Sequence, residues 1–158
     1  MAAESERAKT WILTGSLENF RINVERGFDV IGFKERRRRQ AEQMRPGDEI
    51  VFYVTGVQEF GAIVRVESES FEDREPIWPP GKKDESYPWR VEATPLVVLD
   101  EEQFIPAVGL VGELEHIAKW PAEHWQLAFQ GQLRTVSEHD AKLLRERLEA
   151  AAAESVHA

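Results

Sequence analysis

The sequence predicts an α+β fold in which a curled, mostly antiparallel sheet is flanked by helices. The clearest signal is a hairpin: residues 49–55 and 60–68 are rich in β-branched and aromatic residues and are joined around Gly56. A second long strand pattern covers residues 89–99. Helical patterns precede and follow these strands instead of alternating with them, which is typical of the α+β class.

The chain before the hairpin predicts a strand and a capped helix. Residues 1–8 show no pattern and are expected to form a disordered leader, whereas the apolar run 10–14 predicts a strand. Ser16 is a suitable N-cap and Gly27 a suitable C-terminal stop for the helix between them. The expected buried face of this helix consists of Leu17, Phe20 and Val24.

Two further segments connect this helix to the hairpin. Residues 28–33 predict a short strand or a tight connection, and residues 35–44 are compatible with a helix. The sequence Arg-Pro-Gly-Asp at 45–48 predicts a turn.

Loops and helices dominate the predicted second half. Residues 74–86 are proline-rich and predict a loop, and Pro95 is expected to interrupt the strand at 89–99. Helical turns are predicted within 110–128, and Ser137 opens a C-terminal helix with a capping-box-like start. Its expected buried stripe is Leu143, Leu144 and Leu148, and residues 151–158 are expected to fray.

Composition limits the class of protein. A chain of 158 residues is long enough for one domain with its own core. It has no cysteine, which excludes disulfides, thiolate-bound zinc and cysteine nucleophiles. No apolar run reaches the roughly 18 residues that a membrane span needs, so no membrane partner is predicted. The first residues lack the apolar core of a signal peptide, and the expected location is cytoplasmic.

The sequence contains no motif that predicts catalysis or a cofactor. The Walker loop, the dinucleotide-binding glycine motif, the zinc-protease helix and the nucleophile elbow are all missing. His116 and His124, eight residues apart near two glutamates, are a weak metal candidate and are better explained as helix-surface histidines. The pair Asp140 and Lys142 resembles the end of a nuclease motif but lies in the first turn of a helix. The sequence therefore predicts a protein that is not an enzyme and binds no metal.

Two features point to a binding surface. Trp78 lies in a proline-stiffened loop, where a fixed aromatic plane can stack on a flat ligand. The run of four arginines at 36–39 is the main basic segment of a chain whose net charge is −9. In an α-helix Arg36 and Arg39 share a face, and a guanidinium offers forked donors to phosphate oxygens. The alternative explanations are a core tryptophan and a solvated helix face.

Several short motifs, in this order, resemble the EVE domain family. They are Glu-Asn-Phe at 18–20, Gly-Phe at 32–33, Met-Arg-Pro-Gly-Asp-Glu at 44–49, Pro-Ile-Trp-Pro at 76–79, Tyr-Pro-Trp-Arg-Val at 87–91 and Phe-Gln-Gly-Gln-Leu-Arg at 129–134. The family belongs with the PUA-like folds and is similar to the YTH domains that read methylated adenine in RNA. The resemblance implies a single domain over 9–150 with a PUA-like, mostly antiparallel β barrel flanked by helices. It also implies a pocket for a flipped, modified nucleobase.

The resemblance also implies roles for individual residues. Trp78 would be the stacking plate, Asn19 would pair with a base edge, and Tyr87 and Pro88 would shape the return strand. The remaining residues expected around the base are Ile31, Gly32, Phe33, Phe129 and Gln130. The residues expected to contact phosphates are Lys34, Arg36, Arg39 and Arg134. Some relatives carry tryptophan where this chain has Ile31, which would leave the pocket with one aromatic wall fewer.

The predicted function is a non-catalytic module that binds DNA or RNA carrying a modified base. The residues leave other readings open. The pocket would also suit a small planar metabolite or a nucleotide. The chain would also suit an accessory subunit in a nucleic-acid-modifying, RNA-processing or defence complex. An enzyme acting on a nucleobase or on tRNA is the rival from another class, and the missing catalytic constellation argues against it.

Overall fold

The structure is a computed structural model and describes residues 8–80, 85–130 and 133–156. Within these ranges a mixed sheet curls into a half-barrel, with helices packed outside it. This confirms the predicted α+β class. Most of the expected leader, the tip of the loop at 81–84, Gly131, Gln132 and the last two residues of the expected tail lie outside the described ranges.

In the part of the chain that the structure describes, eight strands form the sheet. The main path runs in the order β2-β6-β4-β3-β1-β8, with β5 paired to β6 and β7 paired to β4. The strands are β1 (Thr10–Gly15), β2 (Val30–Phe33), β3 (Glu49–Val54), β4 (Glu59–Val66), β5 (Phe71–Glu72), β6 (Trp89–Val98), β7 (Ile105–Pro106) and β8 (Leu133–Val136). Among the described strands, β1 and β3 form the one parallel pair, and every other pairing is antiparallel.

The predicted hairpin is β3 and β4. Its register shifts by a bulge between Phe52 and Tyr53. Phe52 packs edge-on against Phe20 and Phe28, whereas Tyr53 stacks on Phe129. A bulge bends a strand and re-aims its side chains, and here it lies where β3 approaches the candidate site.

Strand β6 is continuous where the sequence predicted an interruption. Pro95 stays inside the strand, and the register with β4 shifts instead between Ile63 and Val64. Val97 pairs with Ile63 and Pro95 with Val64, so Leu96 is the extra residue. Proline has no N–H to give to the ladder, and the sheet accommodates it with this irregularity.

The first helix, α1 (Leu17–Glu25), begins as predicted but buries a different face. The Ser16 side chain accepts a hydrogen bond from the backbone N–H of Asn19. Val24, expected inside, is 46% exposed, whereas Asn23 is only 6% exposed. Asn23 lies three residues after the buried Phe20, so the buried face of α1 is turned towards these two residues.

The remaining helices are α2 (Arg38–Gln43), α3 (Glu115–Ala118) and α4 (Glu138–Val156). A 3₁₀ turn at Glu35–Arg37 precedes α2, so the single helix predicted at 35–44 is divided in two. In α4, Leu144 and Leu148 are fully buried and Leu143 is partly buried. The helix continues to Val156, beyond the domain end expected at 150. Within the described residues, no helix has the length and hydropathy of a membrane span.

One hydrophobic core fills the curl of the sheet and extends under the helices. It includes the aromatic residues Trp11, Phe33, Tyr53, Trp89 and Phe129. Trp78 is also buried but is not part of this core cluster. Its surroundings are those of the candidate site.

Candidate functional site

A cavity of about 520 Å³ opens between the first helix and the ends of three strands. Its walls are formed by residues 13–16 at the end of β1, the inner face of α1, residues 31–34 of β2 and its continuation, residues 52–55 of β3, and residues 78–80. Its volume lies within the range of small-molecule pockets, about 300–1,000 Å³.

The structure brings most of the predicted site residues to this cavity. Those that line it are Asn19, Ile31, Gly32, Phe33, Lys34, Arg36, Trp78 and Tyr87. Four of the others do not line it: Pro88, Arg39, Phe129 and Gln130. Arg134, on β8, does not line it either, but its charge reaches one of the lining arginines.

Trp78 is the flat wall of the cavity. Its side chain is 7% exposed, and its Nε1 donates a hydrogen bond of 2.9 Å to Oδ1 of Asn23. Gly32 lies against the six-membered ring: a Cβ at that position would be 2.3 Å from Cζ3. The Tyr87 ring contacts Trp78 edge-on, with 5.7 Å between the ring centroids. The indole is therefore fixed in position, although it lies on a loop.

Asn23 has unused hydrogen-bonding capacity at the cavity. The indole N–H of Trp78 can only donate, so Asn23 must present its carbonyl oxygen to it. The Nδ2 amide group of this buried side chain then has no hydrogen-bond acceptor among the described residues. A buried donor without a partner costs about 1–3 kcal/mol, which a ligand with an acceptor would relieve.

Asn19 lies one helical turn before Asn23, at the same cavity. Its Nδ2 donates to the Tyr87 hydroxyl at 3.1 Å, and its backbone N–H donates to the Ser16 cap at 3.1 Å. Its side-chain carbonyl oxygen has no donor among the described residues. Together the two asparagines offer one donor group and one acceptor to a ligand.

One part of the cavity wall is apolar. Ile31, Phe33 and Phe52 line it and are buried. Tyr53 also lines it at 3% exposure, and burial raises the pKa of its hydroxyl to about 12, so the hydroxyl stays protonated. Phe129 supports Tyr53 from behind: the two rings are stacked with centroids 4.3 Å apart.

The mouth of the cavity is cationic. Lys34 and Arg36 share one carboxylate, that of Glu85, at 3.7 and 3.9 Å. Arg37 also lines the cavity, and no hydrogen bond or salt bridge is found for its side chain among the described residues. Burial, followed by the charges of Arg36 and Arg134, lowers the pKa of Arg37. These three cations exceed the two nearby carboxylates, Glu85 and the lining residue Glu18, so this end of the cavity keeps an excess of positive charge.

Arg39, expected to share a face with Arg36, is turned away from the cavity. Residues 35–37 form a 3₁₀ turn, with about 120° per residue instead of 100°, and this changes the phase of the arginine run. Arg38, next along the chain, stacks over Trp89 with 4.3 Å to the ring centroid and pairs with Glu42.

A cluster of Glu115, His139 and Asp140 has the composition of a metal site but a structural explanation. Both Asp140 oxygens accept backbone N–H groups from the first turn of α3, at 2.8 Å each. His139 Nδ1 lies 3.0 Å from Asp140, and Ser137 donates to Glu115. These contacts cap α3 and join it to α4.

Among the described residues, His116 and His124 belong to no cluster of three or more side chains that could hold a metal ion. His116 is buried, and its Nε2 lies 2.8 Å from the carbonyl oxygen of Ala128, which requires an N–H on that nitrogen. His124 is exposed on the segment 122–129.

Asn23 and Arg37 are two of the lining residues that the sequence did not predict as part of the site. Asn23 lies four residues after Asn19, a spacing that places both on one helix face, and this signal could have identified it. No such signal exists for Arg37, because the direction of its side chain depends on where the 3₁₀ turn changes into α2.

The comparisons with known proteins agree with this architecture. A family model described as "EVE domain" matches residues 9–147. A UPF0310 protein of Pyrococcus abyssi is 25% identical over 146 residues, covering 87% of this chain and 98% of the relative.

Solved structures with the same fold include a hypothetical protein from Leishmania major, with a TM-score of 0.60, 16% identity and coverage of 92% of this chain and 98% of that chain. They also include the YTH domain of the Zygosaccharomyces rouxii MRB1 protein in complex with N6-methyladenosine RNA, with a TM-score of 0.63, 15% identity and coverage of 89% and 86%. At these identities the likeness concerns the fold.

Proposed function

Because this chain belongs to the EVE domain family, we propose that it is a non-catalytic RNA-binding module that captures a flipped, methylated nucleobase in the cavity beside Trp78. The observation that carries the proposal is the pairing of a fixed indole plane with an unsatisfied amide donor. Trp78 lines the cavity, and the Asn23 group that holds it keeps Nδ2 without an acceptor. A nucleobase offers a flat face on which the Trp78 indole can stack and hydrogen-bond acceptors on its edge for the Asn23 amide group.

The charges at the mouth of the cavity favour a nucleic-acid strand over a neutral ligand. Lys34, Arg36 and Arg37 line the entrance of a chain whose overall charge is −9. Positive groups at this one place can hold the phosphates on either side of a flipped base. The YTH structure of Zygosaccharomyces rouxii holds methyladenosine RNA, and RNA is therefore the first polymer to test, with DNA as the comparison.

No described wall of the cavity carries a histidine or a cysteine that could act as nucleophile or base. The Ser16 hydroxyl serves as the cap of α1, and Glu18 is the one carboxylate among the described lining residues. The proposed role is therefore recognition alone.

The test is a binding panel on the native chain and two tryptophan variants. Short single- and double-stranded RNA and DNA are titrated with and without N6-methyladenine, 5-methylcytosine and 5-hydroxymethylcytosine. Base stacking is worth about 1–3 kcal/mol, so Trp78→Ala should weaken binding of the preferred strand about 5- to 150-fold. Trp120→Ala, which removes a half-buried tryptophan outside the cavity, is the control and should bind normally.

Thermal melting of each variant accompanies the panel. A cooperative melt is expected for Trp78→Ala, because Trp78 is not part of the core cluster. Native affinity in the folded variant would disprove the stacking role. Binding of free nucleotides, with no binding of any strand, would replace the proposal with the metabolite alternative.

A further inference from the structure

Arg90 is a buried charge that the proposed pocket does not itself use. It lies on β6 directly opposite Gly32 of β2, and its side chain is 3% exposed. A buried charge is costly unless it is paired and hydrogen-bonded. Burial lowers the pKa of Arg90, against the opposing effect of Asp73.

Among the described residues, every polar side-chain contact of Arg90 goes to Asp73, Glu75 or Tyr87, on either side of the loop that carries Trp78. Its Nε donates to the Tyr87 carbonyl at 3.1 Å, and its Nη2 donates to the Glu75 carbonyl at 2.5 Å. Its Nη1 lies 3.4 Å from the Asp73 carboxylate. One planar guanidinium thus joins both described ends of the loop that carries Trp78, which a single-headed lysine cannot do.

Arg90 also contacts the Trp78 ring. The guanidinium carbon lies 5.2 Å from the ring centroid, within the range of a cation–π contact. Directly opposed residues of an antiparallel pair point to the same side of a sheet, so Arg90 and the bare Cα of Gly32 face the same space. The indole ring occupies that space, in contact with both.

We infer that Arg90 is a positioning residue, which holds the loop and the indole of Trp78 in the orientation that receives a base. The effect of Arg90 on base binding rests on the proposed function. The structural part of the inference, that Arg90 fixes Trp78, is independent of any ligand. Arg90 lines a separate groove on the outer side of the loop and does not line the cavity, so it acts through Trp78.

The ligand-free test uses the indole N–H groups in ¹H–¹⁵N spectra. Trp78 Nε1–H is bonded to Asn23, and Trp11 Nε1–H is bonded to Asp48 in the core, so the second reports on global stability. Arg90→Lys and Arg90→Met should accelerate hydrogen exchange at the Trp78 indole about tenfold or more relative to Trp11. Trp78→Phe assigns the signal.

The matched control is Arg65→Met, which removes an exposed strand arginine paired with Glu67. It should change neither indole. Unchanged exchange at the Trp78 indole in both Arg90 variants would overturn the positioning role. Equal acceleration at Trp78 and Trp11 would overturn it as well, because it would mean that the substitution destabilises the whole fold.

The binding test compares a short single-stranded RNA carrying the base preferred in the panel with the same RNA carrying an abasic site. Arg90→Lys should lower the ratio of the two affinities about tenfold and leave binding of the abasic strand unchanged. In the Trp78→Ala background the same substitution should have no further effect on the ratio. An equal loss for both strands contradicts positioning. A ratio of one in the native chain rejects the proposed function, while the exchange experiment still decides the role of Arg90.

Discussion

Gly32 shows how one residue determines the geometry of the site. Nothing in its backbone conformation requires glycine. The requirement comes from Trp78, whose Cζ3 would lie 2.3 Å from a Cβ at position 32. Real Cβ atoms do not approach ring carbons so closely, so any side chain here displaces the indole. The absence of a side chain at Gly32 is therefore part of the geometry of the candidate site.

Gly32→Ala is expected to weaken both the fold and base recognition. Overpacking of this kind costs about 1–3 kcal/mol. In the Trp78→Ala background the ring is gone, and Gly32→Ala should then cost close to nothing. Urea unfolding of the two single variants and the double variant measures this coupling. Additive costs would show that the alanine methyl group meets something other than Trp78.

Arg37 is expected to be a phosphate contact, whereas Arg39 is not. Arg37 lines the cavity without an ion-pair partner among the described residues, and Arg39, two residues on, does not line it. Each phosphate contact to a single strand contributes about −0.7 to the slope of log K against log salt. Arg37→Gln should flatten the slope by that amount and weaken modified and unmodified strands equally. Arg39→Gln, the matched control, should leave the slope unchanged.

At the residue scale the sequence predicts types of residue better than their directions. Trp78 was recognisable from its stiff loop, and it does line the cavity. Its bond to Asn23 joins residues 55 positions apart, which no local pattern reveals. The arginine run was visible, but the phase of its side chains depends on the change from a 3₁₀ turn to α2.

At the scale of elements, length decides what can be predicted. The hairpin, α1 and α4 are each long enough for their apolar residues to repeat with the period of a strand or a helix, and all three were predicted from the sequence. Strands β5, β7 and β8 have two to four residues and were not predicted as strands. Their pairing partners β6, β4 and β1 are distant in sequence, and edge pairing rather than local propensity defines them.

His116 couples helix α3 to the segment 122–129 and should make stability depend on pH. Its Nε2–H donates to the Ala128 carbonyl, and burial lowers its pKa below the ordinary 6.5. Between the folded-state pKa and 6.5 the unfolded chain binds more protons than the native one. Stability should therefore fall as the pH is lowered through this window, by at most about 1.4 kcal/mol per pH unit.

The measurement is urea unfolding at pH 7.5 and pH 5.5 for the native chain and for His116→Gln, which keeps an N–H donor for Ala128. The variant should lose the pH dependence that His116 causes. His139 acts with the opposite sign over this pH interval, because its hydrogen bond to Asp140 raises its pKa, but both proteins carry it and its effect cancels in their difference. Its stabilising effect is complete below 6.5 and is lost only as the pH rises through its folded pKa. An equal pH dependence in both proteins would contradict the assignment to His116.

At the scale of the whole molecule, charge is divided between the two sides of the Trp78 loop. The cavity side carries Lys34, Arg36 and Arg37 against two carboxylates, Glu18 and the Glu85 that pairs with Lys34 and Arg36. The outer side is a groove of about 720 Å³ in which two arginines, Arg26 and Arg90, are outnumbered by the carboxylates of Asp29, Glu67, Asp73, Glu75 and Glu92. A phosphate chain is attracted to the first side and repelled by the second. A molecule with net charge −9 can in this way receive a strand from one direction.

The cavity as a whole determines how well a methylated base is distinguished from a bare one. Burying one methyl group contributes about 0.8 kcal/mol, roughly fourfold, and a closely fitted site reaches about 10- to 200-fold. Trp78 is the single tryptophan among the described lining residues, and Ile31 stands where some relatives were expected to carry another. We therefore expect a preference of about 4- to 30-fold for the methylated strand, at the lower end of that range.

Paired titrations of one strand with and without the methyl group test this expectation. Ile31 is 1% exposed, so a larger aromatic residue there would overpack, and Ile31→Val is the better probe. It removes one methylene from the cavity wall and should reduce the preference by up to about fourfold. Ile63→Val makes the same change in the core away from the cavity and should leave the preference unchanged. Equal affinities for every methylated and bare pair, across adenine and cytosine, would remove the modified base from the proposed function and leave a pocket that reads bases without regard to methylation.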